Sequence, residues 1–336
     1  MKKNKFTTKP RIITLFGSGE TSPHMAKLYR NLINNPGSKS NNNFLLDTPF
    51  GFQENRNILS NKIIKYFQEK VNLKIEPINF PDENSYDENI KKNIINSDFI
   101  FSGPGSPTYA LKIWNKYKIN SLLESKIKNG GILAFSSAAA LTFGSYVIPV
   151  YEIYKVGETP RLIPGLDLLS FLDKKTIVVP HFNNKEGGDH DTSHCFIGKK
   201  RFDNLIKNKD VLMIGIEEHT SITFDLNDSS IRVDGKGKVL LKSLKGVIEI
   251  NSGETMGINK INSEYVPLEE AREILETETD EKKDEKVNVD IDLLINIRNK
   301  ARLKKDWNLS DQVRDILTSN NIEIEDNSDG SKWKRI

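Results

Sequence analysis

The stretch Gly130-Gly131-Ile132-Leu133-Ala134-Phe135-Ser136-Ser137-Ala138-Ala139-Ala140 constrains the fold more than any other part of the chain. Ile132 to Phe135 is a short continuous apolar run, the pattern of a strand buried on both faces. It ends in small residues and runs into an alanine tract, which predicts a sharp strand-to-helix turn. A serine at such a junction presents its hydroxyl beside free backbone N–H groups, and small neighbours keep the turn clear of side chains. His181 follows a second apolar run, Thr176-Ile177-Val178-Val179-Pro180, 44 residues after Ser137. Two strand ends, one offering a hydroxyl and the other an imidazole, are what a serine hydrolase on an α/β sheet requires.

Similar apolar runs recur at 12–16, 43–47, 73–78, 99–102 and 211–216, separated by helix-like segments at 24–33, 54–71, 87–96, 108–129 and 137–149. Strands alternating with helices predict an α/β fold with a mostly parallel sheet and helices on both faces. From Ser221 to Glu249, turn signals at Asn227-Asp228, Asp234-Gly235 and Lys236-Gly237 predict a β-meander closing the sheet edge. The charged run Asp280-Glu281-Lys282-Lys283-Asp284-Glu285-Lys286 cannot bury apolar surface and reads as a linker. Beyond it, Leu293, Leu294, Ile297 and Ala301, then Val313, Ile316 and Leu317 behind Ser310, recur at helical spacing. An Asp329-Gly330 turn follows, so a small helical hairpin with a short β-hairpin is expected. The expected segmentation is 1–262, a linker at 263–287, and 288–336.

At 336 residues the chain has room for one large domain and an appendage. The net charge of +3 gives no global argument for nucleic acid or a membrane surface. The single cysteine, Cys195, excludes an intramolecular disulfide and a thiolate metal cluster within one chain. Met1-Lys2-Lys3-Asn4-Lys5 is basic, but no apolar run of leader length follows it, and no stretch nears the ~18 apolar residues of a membrane span. A cytoplasmic protein is the expectation, with no membrane partner; a homo-oligomer is compatible with the composition.

Three segments carry a family resemblance. Phe135-Ser136-Ser137-Ala138-Ala139-Ala140 is similar to a Gly-Thr-Ser-Ala-Gly-Ala nucleophile stretch. Val179-Pro180-His181-Phe182 stands where the family has Asp-Gln-His-Phe, and Gly215-Ile216-Glu217-Glu218-His219-Thr220-Ser221 matches Gly-Ile-x-Glu-x-Thr-Ala. In order and spacing the chain resembles the peptidase S51/cyanophycinase-like group of the class I glutamine-amidotransferase-like fold, as a distinct branch. The resemblance implies a flavodoxin-like sheet and a Ser137, His181, Glu218 triad acting on a peptide or amide small-molecule substrate without cofactor or metal. It implies oxyanion donors on Ala138 and on the Gly103-Pro104-Gly105-Ser106-Pro107 loop, where Gly105 or Ser106 can donate and proline cannot. It also places the loop holding Gly19 and Glu20 near the pocket. The chain departs from the family at Phe135 and Ala139, both glycines there, and alanine fits poorly if φ must be positive.

Rival assignments stand beside these. Ser136 is the neighbouring hydroxyl, and Glu217 the neighbouring acid, since alternation along a strand exposes only one of the two glutamates. Glu152 and Lys155, with His190 and Asp191, form a candidate substrate loop. His190 and His194 are four apart, a metal-ligand spacing on a helix, but Gly187-Gly188 and Thr192-Ser193 argue for a loop and no metal. A glutaminase is disfavoured by serine in place of cysteine. A catalytically inactive binding module is the alternative to an enzyme.

The tail resembles the C-terminal domain of cysteinyl-tRNA synthetase, through Ile297-Arg298-Asn299-Lys300-Ala301-Arg302, Ser310-Asp311-Gln312-Val313-Arg314-Asp315-Ile316-Leu317 and Asp329-Gly330-Ser331-Lys332-Trp333-Lys334. That resemblance implies a tRNA partner; Arg298, Lys300, Arg302, Lys304 and Lys305 make a basic helix segment for RNA contact, and Trp333 among Lys332, Lys334 and Arg335 offers a ring to stack on an unpaired base. The plainer alternative is a packing module whose basic residues are solvated.

Overall fold

A computed structural model describes residues 9–34, 42–78, 80, 88–244, 246–263, 291, 294–295, 298–299, 301–302, 307–319, 322–327 and 330–335. The chain divides into two compact units, Met1–Tyr265 and Val266–Ile336. Apart from Ser263, the charged segment expected at 263–287 lies outside the described residues.

The first unit contains strands β1 (Arg11–Phe16), β2 (Asn43–Leu46), β3 (Glu76–Pro77), β4 (Phe99–Ser102), β5 (Gly131–Ser136), β6 (Tyr146–Val147) and β7 (Ile163–Pro164). Strands β8 (Thr176–Val179), β9 (Leu212–Ile216), β10 (Thr220–Asp225), β11 (Ser230–Gly235), β12 (Lys238–Ser243), β13 (Gly246–Asn251) and β14 (Thr255–Gly257) follow. One sheet has the order β14-β11-β10-β1-β5-β4-β2-β3, the other β13-β12-β9-β8-β6-β7. The run β1-β5-β4-β2-β3 is parallel, as is β6-β8-β9. Strands β10, β11 and β14 extend the first sheet antiparallel, and β12 and β13 extend the second.

The fold is therefore α/β as expected, but the meander is not one edge. The chain leaves the first sheet after β11 and joins the second at β12. The reason lies in the burial pattern: Ile222, Phe224, Ile231 and Val233 from one hairpin and Val239, Leu241, Ile248 and Ile250 from the other enter the same core. Both strand pairs cover that core, so they divide between two sheets.

Period-two alternation explains the layering of the first sheet. Ile12 and Phe16 of β1, Phe99 and Phe101 of β4, and Ile132 and Ala134 of β5 face one apolar cluster. Helices α1 (Met25–Ile33) and α2 (Arg56–Tyr66) pack there through Tyr29, Leu32 and Ile63. The intervening residues Ile13, Leu15, Ile100, Leu133 and Phe135 enter the other cluster. That side is covered by α3 (Glu88–Asn96), α4 (Pro107–Lys116) and α5 (Ile119–Asn129) through Ile94, Trp114 and Leu123. Burial on both faces is why these strands read as unbroken apolar runs. Among the described residues no helix is long and apolar enough to cross a membrane.

The second unit holds a helix at Trp307–Ser319 and an antiparallel pair, Ile322–Asn327 with Gly330–Arg335, in which Ile324 faces Trp333. Ile291, Leu294, Ile295, Val313, Leu317 and Ile322 form its core, with Ile324 and Trp333 packed against it.

Candidate active site

Ser137 stands between β5 and the short helix α6 (Ala138–Leu141), with φ 51° and ψ −118°. A non-glycine residue held there is strained by roughly 1–3 kcal/mol, a conformation that persists only where its surroundings impose it. The positive φ falls on the serine itself. Ala139, a glycine in the resembling family, lies inside the helix and has no positive φ, so alanine meets no backbone penalty there.

The Ser137 hydroxyl lies 2.9 Å from His181 Nε2, and His181 Nδ1 lies 3.0 Å from Glu218 Oε1. With the proton on Nδ1 held by the carboxylate, Nε2 presents its lone pair to the serine. Side-chain exposures of 16% for His181 and 26% for Glu218 leave the pair reachable from solvent without flooding it. Ser136 is occupied elsewhere: buried in β5, it donates its hydroxyl to Glu20 Oε2 at 2.8 Å. Glu217 is likewise committed, accepting the Lys238 N–H at 3.0 Å.

One strand end ties these parts together. Phe16, the last residue of β1, accepts the Ser137 N–H (3.1 Å), and the next residue, Gly17, accepts the His181 N–H (3.2 Å). The Gly17 N–H in turn donates to Thr220 O (2.9 Å), just beyond Glu218. Asn184 and Asn183 complete the frame: Asn184 Nδ2 donates to Glu218 Oε1 (2.8 Å), and the Glu218 N–H donates to Asn183 Oδ1 (2.8 Å). Burial pushes the Glu218 carboxyl up, but the hydrogen bonds from Asn184 and His181 outweigh it and hold it below the usual glutamate value. Sequence reading missed both asparagines. The only signal was that Asn183 and Asn184 follow directly on His181-Phe182.

Ala138 is the first residue of α6, where a helical N–H has no intrahelical acceptor. Across from it, Gly105 has φ +139°, and a Cβ there would lie 2.1 Å from Pro49 O. Ser106, named above as an alternative donor, is not available: its N–H donates to Pro49 O at 2.7 Å and its hydroxyl accepts the Tyr109 N–H to cap α4. A cavity of about 440 Å³ opens beside this loop, lined among others by Glu20, Phe50, Lys62, Tyr66, Gly105 and Tyr151. Gly19 has φ +67° and lies against the His219 ring, which a Cβ would meet at 2.2 Å.

The expected substrate loop divides. A row of rings runs from His181 through Phe196 (centroids 5.1 Å) and Tyr154 (5.4 Å) to His190 (6.4 Å), with Lys155 Nζ 4.8 Å from the Tyr154 ring. Glu152 is not in that row and accepts the Thr108 hydroxyl at 2.6 Å. Asp191 serves its own loop: hydrogen bonds from Ser193 and the Lys199 N–H pull its carboxyl down to about 2. His194 is buried between Phe182 and Phe202, and burial lowers it to about 4, whereas His190 is exposed. The two therefore share no face. No cluster of three potential metal-ligating side chains occurs among the described residues.

In the second unit the RNA-contact expectation fails for Arg298. Its side chain is 2% exposed and makes a bidentate pair with Asp326 at 2.7 and 2.8 Å. Arg302 also pairs with Asp326. Trp333 packs on the small core and is half-buried, leaving less ring for stacking. Lys300, Lys304 and Lys305 lie outside the described residues.

Comparison with known proteins adds three findings. The sequence profile of Peptidase family S51 matches residues 14–232. A peptidase from an acI-B1 Actinobacterium has a similar fold, with a TM-score of 0.57 at 19% identity over 73% of this chain and 96% of that one. Among curated proteins, the cysteine–tRNA ligase of Coxiella burnetii is 52% identical over 46 residues, 14% of this chain and 10% of the ligase. That of Bacillus velezensis is 50% identical over 52 residues, 16% of this chain and 11% of the ligase. The matched segment thus spans about a tenth of these relatives' length.

Proposed function

The chain belongs to peptidase family S51, and on that premise we propose that it is a serine hydrolase of peptide or amide bonds working through Ser137, His181 and Glu218. Ser137 Oγ attacks the carbonyl carbon while His181 Nε2 takes its proton, and Glu218 orients the imidazole and stabilises its charged form. The N–H groups of Ala138 and Gly105 receive the developing oxyanion. His181 returns the proton to the leaving amine, and water, activated by the same histidine, cleaves the Ser137 ester. The observation that carries this reading is the unbroken line of hydrogen bonds at 2.9 and 3.0 Å from a strained serine to a carboxylate. A fluorophosphonate probe tests it. Labelling should be lost in Ser137→Ala and kept in Ser136→Ala; a wild-type protein that takes no label would sink the proposal.

A second reading concerns the tail, and the cysteine–tRNA ligase matches favour it. With the segmentation 1–262, 263–287 and 288–336, the last part would contact tRNA, as hydrolase address or as the sole activity of an inactive fold. Arg298 is spent on Asp326, so other residues would carry the contact. Salt-dependent tRNA binding lost on truncation after residue 286 is the expected result; salt-insensitive binding, or binding that survives truncation, would exclude it.

A further inference from the structure

A second cavity, of about 1000 Å³, takes no part in the reaction described above. It opens where the second sheet stops at β7, between the segment 159–164 and the helix Lys199–Ile206. Val211, which lines it, stands just before β9, whereas Glu218 follows that strand. The five residues of β9 alone span roughly 16 Å, so the cavity and the catalytic acid sit at opposite strand ends.

Helical spacing accounts for one wall. Phe202 enters the core, and Asp203 is committed to Lys199 and Lys242. Arg201, Asn204 and Leu205 stand at i, i+3 and i+4 and line the cavity together. Lys209, beyond the helix, adds a second cation. Both cations are exposed, and among the described residues neither side chain has an ion-pair partner. Arg161 is already paired with Glu158, and Asp210 is the one acid among the lining residues. Two free cations against one acid leave the lining positive. The rest is largely apolar: Tyr146, opposite Pro164 in the β6–β7 pair, is exposed, and Leu162 and Ile163 are half-buried.

We propose that this cavity binds a small phosphate monoester with a flat aromatic body, the chemistry of a free mononucleotide. A phosphate monoester carries about −1.5 to −2 charges at pH 7, which draws on both free cations where a carboxylate would draw on one. The Arg201 fork matches two phosphate oxygens, and Lys209 adds a point charge. Tyr146 offers its ring to the aromatic body, with Leu162 and Ile163 as the apolar floor. The volume is at the upper end of the range for small-molecule sites, wide enough for a base, a sugar and a phosphate. The proposal is independent of the hydrolase reading, because binding here needs no step at Ser137.

Calorimetry on the full chain with AMP, adenosine and inorganic phosphate tests this. AMP should bind roughly tenfold or more tightly than either fragment, since only AMP engages both the cations and the ring. Arg201→Gln and Lys209→Gln should each weaken AMP about tenfold and leave adenosine unchanged, the size of a hydrogen bond to a charged group. Tyr146→Ala should weaken AMP roughly fivefold or more and leave inorganic phosphate unchanged. All three positions are exposed, and a thermal melt of each variant checks that it folds. Three results each overturn the proposal: no AMP binding at millimolar concentration, adenosine or inorganic phosphate binding as tightly as AMP, or AMP affinity unchanged in the Arg201→Gln, Lys209→Gln double variant.

Discussion

Gly17→Ala should inactivate the protein without touching any reacting group. Gly17 has no positive φ, so alanine is allowed by its backbone and the effect is purely steric. The added Cβ would lie 2.1 Å from Glu217 O and 2.6 Å from Ile216 O, both backbone atoms that no side-chain rotation can clear. The strand end and the β9–β10 corner must then part by roughly 1 Å, an overpacking that costs about 1–3 kcal/mol of stability. Glu218 is the next residue on that corner, and Gly17 also accepts the His181 N–H, so the displacement acts on the 3.0 Å contact between them. A misplacement of that size lowers a rate by about 10²-fold. The assay is the second-order rate of fluorophosphonate labelling at Ser137, with a thermal melt as the control for folding. A folded Gly17→Ala protein that labels within threefold of wild type would refute the idea that this strand end sets the geometry.

Two further expectations concern charge. Because Glu218 is held below the ordinary glutamate value, its contribution to stability is present above that value and lost as pH falls through the lowered one. Glu218→Gln should therefore flatten the decline in stability between roughly pH 5 and pH 3, measured by urea titration, and slow Ser137 labelling by about 10²–10⁴-fold. In the second unit, Asp326→Ala should destabilise more than Arg298→Met. The first strips its carboxylate from a guanidinium only 2% exposed, at about 3–5 kcal/mol. The second leaves a carboxylate that is 36% exposed and still beside Arg302, at about 1–2 kcal/mol. Hydrogen exchange over 291–335 in the full chain reads both, and a larger loss in Arg298→Met would contradict the assignment.

The parallel strands were legible because burial on both faces writes them as continuous apolar runs; Ser137 and His181 were singled out because each follows such a run, and Glu218 because the family resemblance chose it over Glu217. Two-residue pairings such as Tyr146–Val147 with Ile163–Pro164 carry no periodicity and were not. The transfer from β11 to β12 was hidden because a turn signal marks a reversal without saying which sheet receives the next strand. Asn184 was missed since a polar loop residue has no pattern until the carboxylate it holds is located. Arg298 was misread although the signal was present: Leu294, Arg298 and Ala301 share one helical face, and that face is buried. Asp191 looked like a substrate contact for the opposite reason, because an acid that caps its own loop has the same local sequence as one that greets a ligand.

Ser137 hangs from a strand of one sheet, while His181 hangs from a strand of the other. The 2.9 Å between hydroxyl and imidazole therefore gauges how closely two separately hydrogen-bonded layers are seated on the core they share. Each sheet can keep its own ladder intact while the seating between them slackens, and the gap, with the Gly17–His181 hydrogen bond beside it, would register the change. Reactivity toward an electrophile should consequently fade earlier on mild denaturation than the circular dichroism of the strands, making the serine an internal gauge of tertiary closure.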